Sequence, residues 1–433
     1  RAWPDVINIA FSNNDIKGQA TSDWLRMGLI PPNLESEIPY RALLPQGLDN
    51  ILVVGKAISC THDALPAIRM QPDLENLGGV AGLAAAEAVR TGRSTRSLDV
   101  PRLQAALVKA GVLPQSILGR RLAPLPANKE HIEVLISQLT GEQPLYAYSD
   151  MEINAVYTGR IPLVDICCAG AWAIPLLEQA LMQAEGARKV LLAQALAMME
   201  SPAGVEVLVQ TIMAQLASGR LPERRAAIRH ANRYAPDQAA MPDTAYLLHS
   251  LGMARDRRAL PVWQRVVDLM APVDASDVCD QAKGLFHYVD AVCCGAERLG
   301  DPAAIPILEQ LHRYAPFHNQ QCLDGFEPDY LKERLAYLEI VICRALARCG
   351  GREGIVGLIS YIKDVRAVLA DHAYDELVAI SGQDIERDTD RWYAWLSGAG
   401  TTLVPRPWTA PTDAVAAWGE DVLVWQESPH NDR

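Results

Sequence analysis

What this chain lacks narrows its possibilities before any motif is read. It has no run of about eighteen apolar residues, the length a helix needs to cross a bilayer, so no membrane span is expected. Lys and Arg number 40 against 52 Asp and Glu, a net charge of −12. Phosphate neutralisation needs clustered cations, so a nucleic-acid partner is not expected. There is no CxxC pair, and no Cys/His grouping has the spacing of a zinc or iron–sulfur motif. Most of the nine cysteines sit in apolar, helix-like runs, as at Cys167–Cys168, Cys293–Cys294, Cys343 and Cys349. Such thiols are expected to be buried and reduced, which points to the cytoplasm and to no metal centre.

Two further absences bear on function. No strand leads into a G-x-G-x-x-G turn; GGREG at 350–354 has the wrong spacing and falls between two helical runs. The chain also opens on RAWPDVINIAF, without Met or a targeting segment, and reads there like the interior of a protein. A cleaved precursor or a separately made preceding segment is the expectation.

What is present divides into three zones. Residues 1–120 mix short apolar runs, turns and one Gly/Ala-rich helix, and residues 127–385 are helical in pattern. Residues 386–433 form a Trp- and Pro-rich tail, containing VPRPWTAPTDAVAAW, which is expected to lie across the helices as an irregular strap. The proline-rich LPQSILGRRLAPLPANKE is the natural linker between the first two zones. The helical zone repeats itself. LLAQALAMMESPAGVEVLVQTIMAQL, YLLHSLGMARDRRALPVWQRVVDLM, VCCGAERLGDPAAIPILEQLHRYA and VICRALARCGGREGIVGLISYI each read as helix, tight turn, helix. Their turns fall at Ser201, Asp256, Asp301 and Gly351, and a half-unit begins at Asp165. A lone hairpin cannot cover its apolar stripe, so stacked hairpins sharing one core are expected. The pattern resembles HEAT-like repeats forming an α-solenoid. His249, His287, His312 and His318 fall on separate hairpins and read as surface or capped residues. RLPERRAAIRHANR, from Arg220, reads as a solvated or subunit-contact face.

Chemistry concentrates between Ile38 and Gly92. Gly47–Asn50 reads as a turn, Ile51–Val54 as a short apolar strand, and Gly55 as a glycine where backbone can come close to a ligand. Pro72 then precedes a helix from about Leu74 to Arg90, interrupted by Gly78, Gly79 and Gly82. Each glycine costs a helix interior about 1 kcal/mol relative to Ala, so three of them suggest close approach by a ligand or another backbone. Arg69 suits a carboxylate or pyrophosphate, or an ion pair with Asp73 or Glu75. Asp73 and Glu75 suit the helix start as capping charges. Cys60 reads as a small buried neighbour.

This ordered string resembles the carboxy-terminal cofactor signature of the FAD-dependent oxidoreductases. Gly55, Ile58, Ser59, Thr61, His62, Arg69, Gly78, Ala81 and Gly82 match it, and so does the upstream Ile38-Pro39-Tyr40-Arg41 with Leu43 and Pro45. Lys56 stands where the family has Arg. The resemblance implies an α/β flavoprotein fragment, an incomplete FAD-binding fold, ahead of the α-solenoid. It implies FAD as cofactor, held near Gly55, Lys56, Ser59, Arg69, Gly78, Gly79 and Gly82. It also implies His62 as the catalytic acid or base, and Tyr40 and Arg41 on the substrate side. The expected activity is hydride transfer between a small organic molecule and flavin, with a second polypeptide bearing the G-x-G-x-x-G half. The alternative is a non-catalytic repeat scaffold whose flavoprotein segment has become a docking surface.

Overall fold

The computed structural model describes residues 2–11, 25, 35–61, 64–124, 128–142, 162–224, 241–280, 282–325, 327–399, 403–409 and 423–425. Apolar residues gather in three cores, one drawn from residues 6–117 and two from the helical part.

The first core is built on a two-stranded antiparallel sheet. β1 (Val6–Phe11) pairs with β2 (Glu35–Pro39), Val6 opposite Pro39 and Phe11 opposite Glu35, with an irregularity between Val6 and Asn8. β1 is covered on both faces, with Val6, Ile7, Asn8 and Ala10 fully buried. Helices α1 (Gln71–Thr91) and α2 (Val100–Lys109) pack on it. Pro72 lies in the first turn of α1, where a missing N–H breaks no helical bond. The helix ends at Gly92, whose φ of 64° makes the left-handed cap. Its core face, Leu77, Val80, Ala81, Ala84 and Ala88, follows the three- and four-residue spacing of an amphipathic helix. Asp99 caps α2 by accepting the Arg102 N–H at 3.1 Å.

The strand expected at Ile51–Val54 does not form among the described residues. The stretch joins no sheet, and Val53 donates a single backbone bond to the Leu43 carbonyl at 2.8 Å. Ile51 is 47% exposed and Val54 38%. An apolar run becomes a strand only beside a backbone with free partners, and no described segment offers it one.

The remaining described residues are mainly helical. α3 (Lys129–Gln138), α4 (Pro162–Ala169) and α5 (Ile174–Gln183) lead into hairpins of α6 (Gly186–Met198) with α7 (Val205–Gln215), and α8 (Asp243–Met253) with α9 (Leu260–Met270). After the short α10 (Ala275–Cys279) come α11 (Leu285–Leu299) with α12 (Ile305–His312), and α13 (Tyr330–Arg348) with α14 (Arg352–Tyr361). Last are α15 (Ala367–Ser381) and α16 (Thr389–Gly398). The hairpin turns share one device. Ser201, Asp256 and Asp301 each accept the backbone N–H two residues on, at 3.3, 2.9 and 2.9 Å. First helices pack on first helices in the order α4, α6, α8, α11, α13, α15, and α7, α9 and α12 stack beside them. The α8–α11 crossing is tight, since a Cβ on Gly252 would lie 2.6 Å from the Cα of Gly295.

Three features join distant parts of the chain. Leu25, from between β1 and β2, is fully buried in the core of the helical part. β3 (Leu122–Pro124) pairs antiparallel with β4 (Leu423–Trp425). Residues 403–409 run over the hairpin turns, with Arg406 N–H bonded to the Arg348 carbonyl at 2.8 Å and Trp408 N–H to that of Glu297 at 2.7 Å.

The histidine reading is corrected here. His249, His287 and His312 are buried, and only His318 is exposed. His249 and His287 lie on first helices, whose stacking against their neighbours encloses residues that look peripheral on a single hairpin. No single helix among the described residues is long and apolar enough to cross a membrane.

Candidate functional site

The segment singled out by sequence lies in the first core. Two backbone bonds tie its loop to the 3-10 turn Tyr40–Leu43: Val53 N–H to Leu43, and Ser59 N–H to Ala42 at 3.0 Å. The following turn, Gly55–Ala57, packs on α1 and so brings Gly55 and Lys56 to the helix carrying Gly78, Gly79 and Gly82. Gly55 has φ +73°, a conformation that costs other residues steric strain. A Cβ built on it would meet nothing within 4 Å.

The outward face of α1 is unusual. Gly78, Gly79 and Gly82 are all exposed, and a Cβ on any of them would also meet nothing within 4 Å. Packing among the described residues therefore does not require them, yet together they cost the helix about 3 kcal/mol against Ala. Leu83 and Val89 share the exposed side, Val89 at 85%. The face is flat, apolar and uncovered by the described residues.

The opposite face is fastened by polar contacts that sequence reading missed. Asp73 is buried, and its Oδ1 accepts the Phe11 N–H of β1 at 3.0 Å. Asn8, fully buried in β1, donates to the Asp73 carbonyl at 3.2 Å and accepts from Asn76 at 2.9 Å. Asp73 lies in the first turn of the helix, as a capping charge would, and in addition joins helix to sheet. The available signal was Asn8 itself, a polar residue inside the apolar run VINIAF.

Tyr40 and Arg41 have partners within the chain. The Tyr40 side chain is buried, its hydroxyl donates to the Thr95 carbonyl at 2.7 Å, and burial pushes its pKa up to about 12. Arg41 forks onto Asp5, with Nε to Oδ2 at 3.0 Å and Nη2 to Oδ1 at 2.9 Å, and lies over the Trp3 ring. Both residues hold the entry of β1 against the end of β2. Lys56, Ser59, Cys60 and Thr61 are exposed, and Arg69 is half-buried. Cys60, expected to be buried, is on the surface, while Ile58 of the same loop packs into the first core.

His62 falls outside the described residues, as do 225–233 of the basic stretch from Arg220 and 400–402, 410–422 and 426–433 of the tail. A charged cleft of about 290 Å³ opens at the carboxy-terminal end of α1, lined by Glu87, Thr91, Arg93, Leu98, Asp99 and Arg102. It contains none of the site residues expected from sequence.

A family model for FAD-dependent oxidoreductases matches residues 1–107, the whole of this segment. No curated protein and no solved structure matches the chain. The match makes the segment similar to flavin-dependent oxidoreductases, and FAD is the cofactor that the matching family implies. The residues present fit such a group. Gly55 and the glycines of α1 leave open the space that side chains would fill, next to a helix held to the sheet from behind.

Proposed function

We propose that residues 1–120 are the carboxy-terminal part of an FAD-dependent oxidoreductase that acts on a small organic molecule. The dinucleotide-binding half would come from outside these 433 residues, from a further segment or a second polypeptide. The observation that carries this reading is the uncovered glycine face of α1, lying beside Gly55 within the matched segment. FAD, when bound, supplies the hydride chemistry.

This chain's own residues admit and orient the cofactor. Gly55 lets the cofactor approach the backbone, and Gly78, Gly79 and Gly82 present a surface without side chains. The positive end of α1 favours negative charge that gathers near it. Lys56 and Arg69 offer positive charge, and Ser59 adds a hydroxyl that can donate or accept. Asn8, Asp73 and Asn76 fix the helix angle. Tyr40 and Arg41 keep β1 and β2 in register behind the site, and His62 is the residue assigned to proton transfer at the substrate.

Residues 127–385 are proposed as an α-solenoid of HEAT-like hairpins and 386–433 as its strap. Supporting this are the repeated capped turns and the stacking of first helices on first helices. The second reading, a non-catalytic scaffold, is favoured by the lack of a G-x-G-x-x-G in these 433 residues.

The absorption spectrum of natively purified protein, read beside intact masses of every polypeptide present, separates the two. A flavin spectrum together with a dinucleotide-binding segment is the expected result. Colourless protein that stays colourless when supplied with FAD would remove the enzyme reading.

A further inference from the structure

The helical part contains a side-chain cluster that neither its packing nor the flavin reading explains. His312 is the last residue of α12, and its side chain is 10% exposed. Three hetero-atoms converge on its Nε2: His318 Nδ1 at 3.4 Å, Glu339 Oε1 at 3.5 Å and Cys343 Sγ at 3.7 Å. One ring nitrogen offers one proton or one lone pair, so hydrogen bonding can serve only one of the three. The nitrogen and oxygen contacts also exceed the usual range of about 2.7–3.2 Å.

Those separations have another meaning. Ligand nitrogen and oxygen atoms at about 2.0–2.2 Å from a tetrahedral ion lie about 3.3–3.6 Å apart. The donor atoms of His312, His318 and Glu339 all fall within 4.8 Å of one another. We propose that His312, His318 and Glu339 bind a divalent ion of the zinc class, independently of any flavin chemistry.

The surroundings are built for that role. Glu339 is buried, yet its carboxylate is heavily served: Asn319 N–H reaches Oε1 at 2.8 Å, while Gln320 N–H and the Tyr361 hydroxyl reach Oε2 at 2.7 and 2.6 Å. A carboxylate has about four acceptor positions, so these bonds leave one on Oε1, beside His312. Asn319 has φ +58°, which turns two successive N–H groups onto the same carboxylate and carries His318 to the His312 ring, 4.8 Å between centroids. Orienting bonds of this kind are what fix metal ligands in place. His318 is exposed, so an ion can reach the cluster from solvent. Two imidazoles and one carboxylate favour zinc-class ions over Ca²⁺ or Mg²⁺, which prefer all-oxygen sets. Motif spacing could not have shown this, because the ligands come from a helix end, a loop and the next helix.

The test uses the full chain, stripped of metal and titrated with Zn²⁺ by calorimetry, with bound metal counted by mass spectrometry. One equivalent is expected. His318→Ala, a surface change that leaves the core intact, should weaken binding at least about tenfold. Tyr361→Phe keeps every ligand and should weaken it about 10- to 100-fold by releasing Glu339. Cys294→Ala, in the separate enclosed cluster of His249, Asp290 and Cys294, should leave it unchanged. Folded wild-type chain that takes up no zinc, equal affinity in His318→Ala and wild type, or loss confined to Cys294→Ala would each overturn the proposal.

Discussion

Acid should loosen the helical part through His249 between pH 7 and pH 5. His249 lies on α8 with its side chain fully enclosed, and neither ring nitrogen has a hydrogen-bond partner among the described residues. Burial, reinforced by the charges of His287 and Arg298, pushes its pKa down to about 3. The Asp290 carboxylate, with Oδ2 3.7 Å from Nε2, would favour the protonated ring. That separation is beyond hydrogen-bonding distance, so burial prevails. The unfolded chain takes up the proton near pH 6.5, about three and a half units earlier than the folded one. A depressed folded pKa contributes stability that is fully present above about 6.5 and is lost as pH falls towards 3. By linkage, the loss between pH 7 and pH 5 is about 2 kcal/mol. Urea unfolding at the two pH values, followed by hydrogen exchange in peptides from α8 and α11, reads this part of the chain locally. His249→Gln removes the titration, so wild-type stability minus that of the variant should fall by about 2 kcal/mol on acidification. A difference that stays constant would refute the argument. One that grows would show that Asp290 sets the ring's charge, because stability would then be lost as pH rises.

Two further outcomes follow from the same structure. Gly82→Ala fills open space on a helix, so urea unfolding should show the chain stabilised by about 1 kcal/mol, while flavin content after native purification falls. Arg344→Met leaves Glu297, 4% exposed, without the guanidinium whose Nη2 lies 3.0 Å from its Oε1. Urea unfolding should show a loss of about 3–5 kcal/mol, most of it recovered when Glu297→Met is added.

The order of helices and turns was legible because it rests on local chemistry. Ser201, Asp256 and Asp301 announce helix starts by residue type, and α1 shows its core face through its spacing. The glycines of α1 stood out in the sequence because they are expensive in a helix, and among the described residues nothing approaches them. What escaped were properties that depend on a neighbour. Ile51–Val54 has strand composition, yet β structure is made by pairing and composition cannot supply the partner. Asp73 was legible as a charge at the helix start, but its distance from Phe11 in sequence hid the bond between them. Tyr40 looked available for substrate until Thr95 took its hydroxyl. The histidines misled for the same reason, being peripheral on one hairpin and enclosed between two.

That enclosure bears on how the stack keeps its register. Apolar stripes on similar first helices can pack in more than one offset, because dispersion and burial are not directional. Polar contacts are directional, and they recur between successive first helices. His249 of α8 faces Asp290 of α11, Tyr337 of α13 donates to Asp290 at 3.4 Å, and Arg344 of α13 forks onto Glu297 of α11. One step further, Arg348 of α13 binds Glu376 of α15 at 2.7 Å. A slip by one turn at the α11–α13 or α13–α15 crossing would leave a buried charge unpaired, at a cost of several kcal/mol. The ladder therefore need not add net stability to select one offset; it has only to make the others worse. A double Met variant at Arg344 and Glu297 that is stable, yet crosses α11 and α13 at a new offset, is the outcome this argument leads to.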